Sequence, residues 1–329
     1  MGEFDLIERY FKRPAHKAAL GVGDDCALLN TTPGMQLAVS SDMLVEGRHF
    51  LSTVDPERLG HKALAVNLSD LAAVGAEPLG FTLALALPRV DEAWLAGFSR
   101  GLLALADAHG CELVGGDTTQ GPLNICITVF GEVPPGDALL RQNAQVGDDI
   151  YISGTVGDAR LALEVFRGTH TLSGDAFEQA RARMEQPTPR VALGTALRAV
   201  ANAAIDVSDG LLGDLGHILK RSGVGAQIDT GWLQAAGHFG EARLASGITA
   251  VMADLTWNKR LEFALSGGDD YELCFTAPVN QRELVHAAAW ETDTPVTRIG
   301  RITNEQGLVV LDPQGQPIAK RFASFDHFA

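Results

Sequence analysis

At 329 residues the chain is too long for a comfortable single core, so two domains are expected. With 46% hydrophobic and 20% charged residues it reads as globular, which sets aside disordered and fibrous classes. A formal net charge of -15 argues against nucleic acid or an anionic membrane surface as partner, and against a phosphorylated substrate unless cations reverse the sign locally.

The first residues, MGEFDLIERYFKR, alternate charge with apolar side chains and form no signal peptide. No later run approaches membrane-spanning length. The four cysteines are scattered without a C-x-x-C pair and suit small buried thiols in a reducing compartment. A cytoplasmic location is expected.

In chain order, residues 36–44 (QLAVSSDML) read as a strand ending in an acidic loop. Residues 56–75 form an amphipathic helix with Pro at its start and Gly at its end. A strand at 79–87 is closed by Pro88, and a helix at 91–109 carries N-terminal acids and ends at Gly110. Strands at 111–114 and 124–133 flank a loop, GGDTTQG. Pro134-Pro135-Gly136 breaks the pattern, giving domains 1–137 and 148–329. The second half restarts with a strand at 148–154, then helices near 157–167, 175–185 and 190–201. A strand at 203–207, a helix at 211–221, an apolar segment at 260–266 and a strand at 271–277 follow. The tail holds a helix near 281–290 and two short strands, VTRIGRI and LVVL. The fold class is α/β, with mixed α and β in each half. VSSDML echoes DVSDGL and GGDTT echoes SGGDD, so duplication of one domain type stands beside chance likeness between Gly- and Asp-rich segments.

Two motifs set aspartates side by side: GVGDDCALL at 21–29 and SGGDDYEL at 266–273. Neighbouring carboxylates repel unless a cation or a proton lies between them. Further aspartates fall at strand ends or in Gly-rich stretches: Asp42, Asp117, Asp206 and Asp209, with Asp70 three residues from Asn67 on one helix face. Singly each suits a turn or a cap. Converging with few basic neighbours, they would leave a heavy uncompensated charge, and several hard cations are the simplest compensation. A general acid/base role for one carboxylate stays open. Paired His or Cys at zinc spacing is lacking.

The sequence has no G-x-x-x-x-G-K-[ST], no kinase H-R-D and no G-x-S-x-G. Gly21-x-Gly23 lacks the third glycine of a dinucleotide-binding turn. Mg²⁺ together with Arg141 and loop amides such as that of Gly116 would suffice to hold phosphates.

GVGDDCALL, SSDMLVEGRHF, KALAVNLSDLAAVGAEPLGFTLALALP, GGDTTQGPL, AIDVSDGLLGDLGHI, SGGDDYELCF and the terminal FDHF together resemble the thiamine-monophosphate kinase family, in order and over almost the whole chain. The resemblance implies a two-domain fold like the aminoimidazole ribonucleotide synthetase superfamily, with N-terminal sheets pairing across a homodimer. It implies transfer of the γ-phosphate of MgATP to thiamine monophosphate, in line and without a phosphoenzyme, so no residue is expected as catalytic nucleophile. Carried over, Asp25, Ser40, Ser41, Asp42, Asp70, Asp117, Asp206 and Asp209 match metal positions. Gly116, Asp117, Arg141 and Ser208 match nucleotide contacts, and His49, Asp269 and Phe325 match the thiamine-phosphate side. Ser41 and Asp269 depart from the family's commoner threonine and glutamate. Selenophosphate-forming or purine-pathway enzymes of the superfamily, and a non-catalytic nucleotide-binding relative, are the alternatives. The N-terminus lacks the reactive Cys of the first, and the chain ends in FDHFA, without the terminal Cys of hydrogenase-maturation relatives.

Overall fold

The computed structural model describes residues 2–234, 247–320 and 322. It divides into two compact units, Met1–Leu71 with Ala76–Gly136, and Ala72–Gly75 with Asp137–Ala329.

The N-terminal unit begins with helix α1 (Glu3–Tyr10) and a small antiparallel ribbon of β1 (Ala18–Leu20) and β2 (Leu28–Leu29). Its sheet is built from β3 (Gln36–Val45), β4 (Glu77–Leu87), β5 (Glu112–Gln120) and β6 (Asn124–Val133), ordered β3-β6-β4-β5. Only the β4–β5 pair is parallel. Helices α2 (Pro56–Ala73) and α3 (Glu92–Ala108) are the crossovers. Asp55 starts α2 by accepting the N–H of Glu57 at 2.9 Å and of Arg58 at 3.2 Å, with Pro56 at the first helical position. Asp91 starts α3 in the same way, accepting from Ala93 and Trp94. Leu59, Leu64, Leu68 and Leu71 of α2 are buried together with Phe81, Leu85, Ile125, Ile127 and Val129 of the strands. The other sheet face stays open: Leu37, Val39 and Met43 are 48%, 56% and 53% exposed.

The expected strand ending at residue 114 continues instead through the GGDTTQ stretch as β5. The glycines that read as a loop are ladder members, with Gly116 opposite Leu83. A Cβ on Gly116 would stand 1.9 Å from the Leu83 carbonyl oxygen, so the strand needs glycine for close approach rather than for a turn.

The C-terminal unit holds β7 (Asp149–Ser153), α4 (Asp158–Phe166), α5 (Gly174–Glu185), α6 (Val191–Ala196), β8 (Ala203–Asp206), α7 (Leu211–Ser222) and β9 (Gly225–Asp229). There follow α8 (Ala250–Ala253), α9 (Trp257–Ser266), β10 (Leu273–Ala277), α10 (Arg282–Glu291), β11 (Val296–Thr303) and β12 (Gly307–Leu311). The strands form one sheet, β12-β9-β11-β7-β10-β8, antiparallel except for β12–β9. β7, β8 and β10 are buried at every position, so both of their faces are covered. Leu215 and Ile218 of α7 and Leu261 and Phe263 of α9 join Ile150, Ile152, Ile205 and Cys274 in one apolar cluster.

Three further segments differ from the sequence reading. The helix expected at 190–201 ends at Ala196, the apolar segment at 260–266 is the body of α9, and the strand expected from residue 271 begins at Leu273. Tyr271 has φ +50°, which no strand accommodates. β9, at a strand-sized apolar stretch after Gly223, was not foreseen. Among the described residues no helix is long and apolar enough to cross a membrane.

Candidate active site

In the N-terminal unit the strand alternation of β3 sorts its polar residues. The Ser40 hydroxyl donates to Asp70 Oδ2 on α2. Two residues on, the Asp42 backbone N–H donates to Asn67 Oδ1 at 3.2 Å, so the α2 face bearing Asn67 and Asp70 meets the edge strand at both points. Ser41 points the other way. Its hydroxyl donates to the Ile127 carbonyl at 3.1 Å and lies 3.0 Å from Thr128 Oγ1. Asp117 falls in the register row Met43–Cys126–Ala84–Asp117, on the Ser41 side and three strands from β3. His49 folds back on the end of β3, where its Nδ1 accepts the Val45 N–H at 3.0 Å.

The first aspartate pair lies on an exposed loop between β1 and β2. The Asp25 N–H donates to Asp24 Oδ1 at 3.0 Å. Two glutamates that the sequence reading passed over tie down this segment. Glu112 on β5 accepts the N–H groups of His16 and Lys17 at 2.8 Å and of Ala18 at 3.1 Å. Burial opposes its charge, yet those three donors hold its carboxyl below the usual value. At the far end Glu132 on β6 accepts the Thr32 N–H at 2.8 Å and its hydroxyl at 2.7 Å.

In the C-terminal unit, Asp206 ends β8 and is buried, while Ser208 and Asp209 occupy the turn into α7 and are half-buried. This turn is hydrogen-bonded to the second acidic loop: the Asp269 N–H donates to the Ser208 carbonyl and the Tyr271 N–H to the Val207 carbonyl, both at 2.8 Å. A Cβ at Gly268 would stand 2.5 Å from the Ser208 oxygen, so the two loops meet through glycine. Asp269, at φ +70°, holds a backbone conformation that aspartate tolerates better than most residues. Asp206, Ser208, Asp209 and Asp269 thus form one group. Arg141 is exposed, and its carbonyl accepts the Ser222 hydroxyl at 3.0 Å. Phe325 lies outside the described residues.

The second aspartate pair divides its work. Asp269 faces the turn, whereas Asp270 is 2% exposed and places both oxygens on the Gly157 N–H, at 3.0 and 3.1 Å. Burial pushes the Asp270 carboxyl well above its ordinary value. Two residues on, the fully buried Glu272 is gripped by Arg183 at 2.6 Å and by Arg190 at 2.6 and 2.7 Å, with Ser153 at 2.5 Å. Asp214, in the first turn of α7, accepts the N–H groups of Ser208, Asp209 and Gly210, each at 3.1 Å. Burial pushes its carboxyl up to about 7, against those three donors. No signal in the sequence marked Asp214 beyond its place inside the AIDVSDGLLGDLGHI motif.

The carboxylates and hydroxyls of both groups offer oxygen. Among the described residues no three His, Cys, Asp or Glu side chains come together where they could hold a metal ion. That donor set fits Mg²⁺, which is held by one or two carboxylates and completes its octahedron with water and substrate phosphates.

Residues 23–133 match the family model of the AIR synthase related protein N-terminal domain, and residues 145–312 that of its C-terminal domain. A thiamine-monophosphate kinase of Salmonella typhimurium (strain LT2) is 44% identical over 332 residues, covering 100% of this chain and 98% of its own. The crystal structure of a thiamine-monophosphate kinase from Stenotrophomonas maltophilia K279a aligns with a TM-score of 0.82 at 44% identity, over 96% of each chain. AaThiL complexed with AMPPCP and TMP aligns with a TM-score of 0.75 at 28% identity, over 91% of this chain and 89% of that one. By sequence and by fold, the chain belongs to the AIR synthase related proteins and, among them, to the thiamine-monophosphate kinases.

Proposed function

We infer that the protein phosphorylates thiamine monophosphate to thiamine diphosphate at the expense of ATP, by direct in-line transfer of the γ-phosphate. The observation that carries this reading is full-length membership of the kinase family, together with a relative of the same fold complexed with AMPPCP and TMP. The attacking group is a phosphate oxygen of thiamine monophosphate, already ionised near neutral pH, so no protein base or nucleophile is required. Alignment and neutralisation of charge are the work left to the protein.

Asp25, Ser40, Ser41, Asp42, Asp70 and Asp117 of the first unit and Asp206 and Asp209 of the second are the residues we assign to Mg²⁺. The Ser40–Asp70 side-chain bond and the bond from the Asp42 backbone N–H to Asn67 tie β3 to α2 at these residues. When bound, Mg²⁺ would screen the repulsion between the γ-phosphate and the incoming phosphate. Gly116, Asp117, Arg141 and Ser208 take the nucleotide, and His49, Asp269 and Phe325 the thiamine phosphate. His49 accepts at Nδ1, so its neutral ring presents Nε2–H as a donor. A homodimer is supported by the open face of the N-terminal sheet, where Leu37, Val39 and Met43 would otherwise meet water. We place the two-domain division of labour at the break after Gly136, and the protein in the cytoplasm.

The test is conversion of thiamine monophosphate, read by oxidising the mixture to fluorescent thiochrome phosphates and separating the diphosphate from the monophosphate by chromatography. Product that requires both ATP and Mg²⁺ and scales with protein supports the reading. Bound ATP without any product would move the protein to a non-catalytic or different-acceptor role.

A further inference from the structure

We propose that Asp214 is a positioning residue for the transfer, one buried carboxylate that sets the turn Ser208–Gly210 and, through it, the loop bearing Asp269. The inference rests on the kinase reading above. It starts from an oddity at the start of α7. The residue in the N-cap position is Gly210, which has no side chain to satisfy the helix's leading N–H groups. Its φ of +118° leaves the turn strained for any other residue. Instead, an acid from within the helix reaches back. Asp214 is 4% exposed, and its Oδ2 collects three consecutive backbone N–H groups at 3.1 Å.

A carboxylate receiving three converging donors fixes the orientation of three peptide planes at once. Two of those peptides belong to Ser208 and Asp209. The carbonyl of Ser208 in turn accepts the Asp269 N–H at 2.8 Å, and Gly268 lies against that same oxygen. Movement of the turn therefore displaces a nucleotide contact, a metal ligand and a thiamine-phosphate contact together. Asp214 itself is turned inward, onto the backbone, and acts only through them.

The experiment compares full-length wild type with Asp214→Ala and Asp214→Asn, using thiamine monophosphate, ATP and a Mg²⁺ titration. Loss of an orienting partner behind metal ligands is expected to raise the half-saturating Mg²⁺ and the KM for thiamine monophosphate together, by about tenfold in D214A. D214N, which keeps one acceptor oxygen, should fall between D214A and wild type. A purely structural role would lower kcat through the active fraction and leave both half-saturation values unchanged, which would overturn the proposal. Binding of AMPPCP with Mg²⁺, measured by calorimetry, gives a readout independent of turnover. Weaker binding to D214A supports the positioning role even if wild type makes no thiamine diphosphate, an outcome that would strike the kinase reading alone. Unchanged binding overturns the proposal.

Discussion

The two units carry their acids on different scaffolds. In the N-terminal unit Ser40, Ser41 and Asp42 ride on β3 and Asp117 on β5, inside hydrogen-bonded ladders. In the C-terminal unit Ser208, Asp209 and Asp269 sit on two irregular loops bonded back to back. The motifs that echo one another in sequence, VSSDML with DVSDGL and GGDTT with SGGDD, are therefore a strand against a turn and a strand against a positive-φ loop. On a strand the ladder fixes the backbone and alternation alone decides which way each side chain points. On a loop the backbone must be held by something else, and here buried carboxylates hold it. The lesson is that similar acidic strings can be supported locally in one place and by distant burial in another.

The comparison predicts that the loop-bearing unit is the more fragile. Glu272→Ala strips two arginines of a fully buried partner and should destabilise the C-terminal unit by about 3–5 kcal/mol in denaturant unfolding. A change below 1 kcal/mol would show that the loops hold themselves. Its titration gives a second handle. Burial opposes the charge on Glu272, but Arg190 and Arg183 hold its carboxyl below the ordinary 4.5. A folded value below the unfolded one means a stabilisation complete above about pH 4.5 and lost as pH falls through the folded value. The stability gap between wild type and Glu272→Gln should be flat from pH 8 to 5 and shrink below pH 4.5; a gap that widens on acidification would contradict the pairing.

In the N-terminal unit the effects should fall on activity and not on folding. Asp70→Asn should cost about 100-fold in kcat/KM, roughly 2.7 kcal/mol, with the melting temperature nearly unchanged. Ser40→Ala, which removes the partner of Asp70, should cost about tenfold, or 1.4 kcal/mol. Ser41→Ala should cost less than Ser40→Ala, because its hydroxyl bonds within the sheet, on the opposite side of β3 from the Ser40–Asp70 pair. Equal losses at the two serines would break the alternation argument. As a local reference, Asp91→Ala removes the cap of α3 and should lower stability by about 1 kcal/mol without touching activity.

How much was legible follows the same division. β3, α2 and α3 announce themselves through periodicity, Pro56, Asp91 and Gly110, because short-range rules govern them. The motif likeness named the family. The course of β5 through Gly115 and Gly116 was misread, since a glycine needed for close approach to Leu83 looks the same in sequence as one needed for a turn. Glu112 and Glu132 were passed over because their backbone donors lie 96 and 100 residues away in sequence, and Asp214 because its donors, four to six residues upstream, converge on it only once the turn into α7 has formed. Asp270 was read with Asp269 as one pair, and only burial against Gly157 separates their roles.

The most direct measurement is a ³¹P NMR time course with the protein, ATP, Mg²⁺ and thiamine monophosphate. The account predicts that ADP and thiamine diphosphate resonances grow in equal amounts as ATP and thiamine monophosphate decline, and that nothing changes without Mg²⁺. Growth of inorganic phosphate beside untouched thiamine monophosphate would contradict it.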